Sequence, residues 1–345
     1  NSDPMSKLQQ HLRNILHQNY RISKDCFILL MHDTDCTLAK LLTDAYTAEI
    51  QSNPHQIINF PAVEESLVEQ AVAALPAHSL VILVQSLSFR MTKHRLRADL
   101  FRAGHMVIEH ARLSLNSDEE ILHYVDSLQY DTPYYVQASN KIEQLLQQNN
   151  TLCIESGQNG QNLALQINST FEKPLKNTGD FSDNPIVAAG FPIGEIFTEA
   201  SQLDKMNGSV MVFGFPTLEH KAHFCTPFEV QIKDGCVISH TGPALFEEIL
   251  ERIRTEEVNA AVQVREVGFG LNRGIGFGKT LHEPTAFERF AGMHFSLGLK
   301  HAMYAKKLGR KVYQKYHIDI FCKVKNVFIG DTLIMKDGKY VVEND

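Results

Sequence analysis

The sequence predicts two folded parts: an α/β N-terminal domain on a parallel sheet, then an α+β C-terminal domain rich in antiparallel strands. Three observations carry this. The 345 residues suit two domains rather than one. Over the first hundred or so residues, short apolar runs alternate with stretches of helical period. From Thr151 the helical stretches give way to short strands separated by Gly, Asn and Asp turns. The expected domains span 5–135 and 136–345.

The elements follow in order. Leu8, Leu12, Ile15 and Leu16 share one helical face. "CFILLM" (26–31) reads as a buried strand, and Leu38, Leu41, Leu42 and Ala45 mark the next helix. "IINF" (57–60) is a short strand, followed by a helix marked by Val63, Leu67, Val68 and Leu75. "SLVILV" (79–84) and "MVIE" (106–109) are two further strands. Between them Leu96, Leu100 and Phe101 mark a helix that Gly104 closes. Strand–helix–strand order implies right-handed crossovers and a parallel sheet. Two polar-flanked helices are expected near 118–127 and 138–148. Beyond them "TLCIES", "NLALQIN", "GSVMVFGF", "FEVQIKDGCVIS", "MHFSLG", "HIDIFCKV" and "VFIGDTLIMKDGKYVV" read as strands, and "ALFEEILERI" (244–253) as a helix.

Composition excludes several classes. A net charge of −7 gives no global basic field for nucleic acid. No apolar run reaches the roughly 18 residues that span a membrane, and no charged-then-apolar leader is visible. The residues before Met5 are set aside. Six cysteines, none in a C-x-x-C pair, read as reduced thiols of a cytoplasmic protein. The basic stretch 299–317 reads as a solvated face.

The run "VREVGFGLNRGIGFGKT" (264–280) holds five glycines. It ends in Gly-Lys-Thr, yet it is no phosphate loop. The G-x-x-x-x-G-K-[ST] pattern requires glycine at 273, where Arg273 stands. The G-x-G-x-x-G pattern fails at the same residue. What the run does carry is Glu266 just ahead of the glycines. Glu195 lies beyond Pro192 and Gly194, His294 sits in "GMHFSLG", and "HID" opens an apolar strand with His317 and Asp319. Alternation puts His317 and Asp319 on one face, about 6.6 Å apart along the strand. Burying such a pair without a partner or metal costs several kcal/mol. Two imidazoles and three carboxylates form an N/O donor set for zinc, manganese, cobalt or iron. The lone glutamates read equally as loop residues, and His294 as a hydrogen-bonded core histidine.

Here the sequence resembles a known family. "FPIGEIFTEASQLDKMNGSVMV", "REVGFGLN", "GMHFSLG" and "YHIDIFCKVKNVFIGDTLIMKDGKYV" resemble, in the same order, segments of the metallo-aminopeptidases of the aminopeptidase T and S type. The resemblance covers about residues 150–342. It implies a C-terminal metal-binding catalytic domain with a two-metal site on Glu195, Glu266, His294, His317 and Asp319, with Glu195 or Glu266 bridging. It implies removal of N-terminal residues from short peptides, most simply with zinc, by a homodimer. His301 stands where many members place a tyrosine near the metals, so it joins the candidate ligands. Gln161-Asn162 replace a family Thr-Asp pair. No residue is singled out as general base. Two alternatives stay open: a mononuclear iron ring-cleaving dioxygenase resembling that of dihydroxypyridine, with His294, His317 and Asp319 as facial triad, and a binding or biosynthetic protein of the same fold. No nucleic acid or membrane partner is expected.

Overall fold

The computed structural model describes residues 3–92, 95–158, 160–182, 187–256, 260–298 and 316–342. The chain divides into two compact units. The first comprises residues 1–132, 179–193 and 279–286; the second comprises 133–178, 194–278 and 287–345.

The first unit holds a five-stranded parallel sheet. Its order is His55–Asn59, Ile28–His32, Leu80–Val84, Met106–His110, Ala188–Gly190. The Leu80–Val84 strand is buried at every position, the pattern of a central strand covered on both faces. One face packs Leu29, Met31, Val81, Leu83 and Val107 against Val68, Leu96 and Leu100 of two crossover helices. A small polar network is sealed inside the unit. His110 is fully buried, with Tyr46 Oη on Nε2 at 2.6 Å and Tyr124 Oη on Nδ1 at 2.7 Å. Burial pushes its pKa down to about 3, so this imidazole is a neutral bridge between two phenols.

The second unit is built on a 13-stranded sheet whose pairings are all antiparallel. The Thr132–Gln148 and Ala244–Glu256 helices accompany it. Consecutive neighbours within it are Ile318–Cys322, Gly292–Leu297, Val264–Gly270 and Glu195–Glu199. The α/β part and the antiparallel part are thus both present as the sequence led us to expect.

Two local differences have physical causes. The Ala188–Gly190 strand extends the parallel sheet, although its three small residues show no period of two. A glycine run after Glu266 is most simply a loop, but Gly268 and Gly270 lie inside a strand, Val264–Gly270, buried along its whole length. A glycine in a buried strand marks a place where something else needs the room. Among the described residues, no helix is long and apolar enough to cross a membrane.

Candidate metal centre

Four adjacent strands of the second unit each bring one piece of an ionisable cluster. Glu195 opens Glu195–Glu199, Glu266 lies in Val264–Gly270, His294 in Gly292–Leu297, and Asp319 in Ile318–Cys322 with His317 just ahead of it. Cross-strand partners share a face. Gly270 pairs with Glu195, Gly268 with both Phe197 and His294, and Ser296 with Asp319. Register alone therefore lays Glu195, His294 and Asp319 on one surface.

Glu266, two positions before Gly268 and paired with Glu199 in unbroken register, lies on the same surface, next to an irregularity. Val264 pairs with Leu297 and Val267 with Phe295, so Arg265 and Glu266 together oppose Ser296. This is a β-bulge, a device that re-aims a side chain. The displaced Glu266 N–H is not orphaned: it donates to Ser296 Oγ at 2.7 Å. Arg265 is fully buried and donates through Nε to Glu199 Oε2 at 2.8 Å.

The glycines fit the same scheme. A Cβ on Gly268 would overlap the His294 ring, and one on Gly270 would overlap the carbonyl oxygen of Phe290. Gly194 adopts φ +114°, and a Cβ there would stand 2.8 Å from the Tyr135 ring. Each glycine makes space beside a ligand-bearing position.

Ligand atoms of Glu266, His294 and Asp319 all lie within 4.8 Å of one another, and all three residues are buried. His294 Nε2 is 3.3 Å from Glu266 Oε1. His317 Nε2 is 3.7 Å from Glu266 Oε2 and 3.2 Å from Asp319 Oδ1. The two carboxylate oxygens of Glu266 thus face different histidines. Glu195 is held by Arg289, whose Nε lies 3.3 Å from Oε1. His301 lies outside the described residues. Arg273, which stands where a phosphate loop requires glycine, sits with its guanidinium carbon 3.8 Å from the Tyr134 ring centroid.

A carboxylate that the sequence reading passed over completes the cluster. Glu288 hydrogen-bonds Asp319 through side chains and stands 3.7 Å from Arg289 Nε. Its only sequence signal is a charged pair wedged between phenylalanines in "FERF" (287–290). Phe287 and Phe290 on either side of the pair stack on each other at 4.8 Å and pack edge-on to Phe321. Burial, with Asp319 and Glu195 nearby, drives the Glu288 carboxyl well above the usual range. Asp319 moves the opposite way. Burial would raise it, but the His317 charge, the Glu288 hydrogen bond and the His294 charge hold it far below. With no cation bound, a proton shared by this pair favours Glu288. Burial raises Glu195 too. His294 is pushed up to about 9: burial opposes its charge, but Asp319, Glu266 and Glu195 outweigh burial.

These residues fit a cation. Glu195 Oε2, His294 Nδ1 and Asp319 Oδ1 are buried with no hydrogen-bond partner among the described residues. Asp319 Oδ1 faces His317 Nε2 at 3.2 Å as an ion pair. Three ionised carboxylates against the Arg289 guanidinium leave two negative charges, the charge of one divalent ion with both imidazoles neutral. Ionising Glu288 adds a third, which suits two ions and a hydroxide. Buried charge of this size is held by partners or metals.

No protein-family model matches the chain, and no curated protein matches it by sequence. Among solved structures it is similar to a 2,5-dihydroxypyridine dioxygenase from Pseudomonas putida KT2440, with a TM-score of 0.60 at 14% identity, covering 100% of this chain and 99% of the other. It is similar also to AmpT from Thermus thermophilus, with a TM-score of 0.59 at 12% identity, covering 97% of this chain and 99% of that one. At these identities the likeness is one of fold.

Proposed function

We propose that this protein is a metal-dependent hydrolase of the aminopeptidase type, acting on short peptides through two divalent ions. The observation that carries this is Glu266, which turns one oxygen to His294 and the other to His317. A carboxylate so placed suits a bridge between two ions, each with its own imidazole. Glu195, Glu266, His294, His317 and Asp319 would hold the pair, most simply zinc. When bound, the ions would supply Lewis acidity toward a peptide carbonyl and lower the pKa of a water. The likeness to AmpT supports the reading at the level of fold.

The chain's own residues do the rest. Arg289 fixes one oxygen of Glu195 and leaves the other for a ligand. Glu288 stands beside the ligand set and holds a proton against Asp319. Once bound cations displaced that proton, Glu288 would be a carboxylate placed to take a proton from water and return it to a leaving amine, the task of a general base and acid.

The second reading is a mononuclear oxygenase. It is favoured by the two-charge balance that holds while Glu288 stays protonated, and the dioxygenase neighbour has the same fold. Metal analysis of protein purified without chelator separates the two. About two ions per chain, with chelator-sensitive release of amino acids from an aminoacyl-substrate panel, supports the hydrolase. A single Fe(II) with oxygen uptake on dihydroxypyridines refutes it.

A further inference from the structure

A second cavity lies wholly within the first unit, at the carboxyl ends of Leu80–Val84, Met106–His110 and Ala188–Gly190. Parallel sheets with helices on both faces bind ligands at this edge. The cavity measures about 550 Å³, a volume suited to a small organic molecule. Its walls are apolar: Leu83, Phe89, Leu96, Phe101 and Ala188. Phe101 is 45% exposed at the mouth.

The floor is polar and built. Gln85 is buried, accepts the Phe89 N–H at 2.9 Å, and donates to Glu109 Oε1 at 3.3 Å. Its amide is thus spent on orienting Glu109. Arg97 donates to the Ala188 carbonyl at 3.3 Å and places Nη1 3.1 Å from Glu109 Oε2. That last approach is an ion pair without hydrogen-bond geometry. Oε2 is buried and has no hydrogen-bond donor among the described residues. Arg95 also lines the cavity and makes no ion pair among the described residues. The lining holds two guanidiniums and one carboxylate, so it carries one net positive charge.

A ligand that completes this site needs three features. It must bring a hydrogen-bond donor to Glu109 Oε2. It must bring one negative charge, which Arg95 can meet. It must fill apolar walls between Phe89 and Phe101. We propose that the cavity binds a free α-amino acid with an apolar side chain. Its ammonium group pairs with Glu109, its carboxylate with Arg95, and its side chain packs on the two phenylalanines. The assignment does not rest on the proposed hydrolase activity, because none of these residues belongs to the metal cluster.

Calorimetric titration of the full-length protein tests this. Leucine and phenylalanine are the probes. Leucinamide removes the carboxylate, and 4-methylpentanoate removes the ammonium. Arg95→Ala and Glu109→Gln probe the two charges, and Glu266→Gln serves as a control in the metal cluster. We expect leucine or phenylalanine to bind the wild type and Glu266→Gln alike. Each analogue, and each of the two cavity variants, should bind about tenfold more weakly or worse. Arg95 is exposed, so its variant keeps the fold and the comparison stands even if Glu109→Gln does not fold. Absence of amino-acid binding to the wild type overturns the proposal. So does unchanged affinity in Arg95→Ala, equal affinity for either analogue, or loss of binding in Glu266→Gln.

Discussion

Gly268 stands directly across the antiparallel ladder from His294, and the imidazole occupies the space a side chain on residue 268 would need. We expect Gly268→Ala to displace His294 without unfolding the sheet. Shifting a ligand in this way should weaken metal binding about 10–100-fold. Metal titration of the variant, with circular dichroism to confirm the fold, checks the expectation. Unchanged affinity would show that His294 is no ligand.

His317 retains 28% of its side-chain exposure and packs no core. Replacing it by Ala should abolish activity and lower metal content while the thermal midpoint of the chelated protein stays within a few degrees. If the chelated variant unfolds instead, the histidine is structural.

The chelated protein should be sensitive to alkali. The His294 pKa is raised from 6.5 to about 9 in the fold. A raised cationic pKa stabilises the fold fully below the unfolded value and progressively less as pH climbs through the folded one. Thermal midpoints of chelator-treated protein should therefore fall between pH 6.5 and about 9. Bound cations take over the charge balance, so metal-loaded protein should show a smaller fall. Differential scanning calorimetry across that window, with and without metal, decides the matter. Equal slopes would contradict the charge argument.

Arg265 and Glu199 form an ion pair with side-chain exposures of 0% and 3%. Breaking it takes a carboxylate partner from a fully buried guanidinium. Glu199→Ala should cost about 3–5 kcal/mol of stability. Neither residue is among the proposed ligands, so a variant that still folds should bind metal. Urea unfolding measures the first effect and metal analysis the second.

Much of this was legible in the chain itself. Alternating apolar runs and helical periods marked the first sheet, since a buried parallel strand is a continuous apolar block. The pair His317 and Asp319 stood out because two ionisable groups on an apolar strand demand a partner. Glu288 did not stand out. A glutamate beside an arginine looks like a surface pair, and only its hydrogen bond to Asp319, distant in the chain, makes it otherwise. The purpose of Gly268 was equally hidden. It depends on which residue lies across the ladder, and register between strands distant in sequence is not written in either strand.

The bulge at Arg265 and Glu266 has a consequence for chain length. Strand side chains alternate, so one residue more or less turns every later side chain over. Here the extra residue is what lets an arginine lock onto Glu199 while the very next position faces two histidines. Deleting one residue between Val264 and Val267 would leave a regular ladder and remove one of those two duties. The segment should accept many substitutions and very few changes of length. A deletion scan across 262–270, scored for soluble yield and bound metal, would find a minimum at these two positions and not at the glycines that follow.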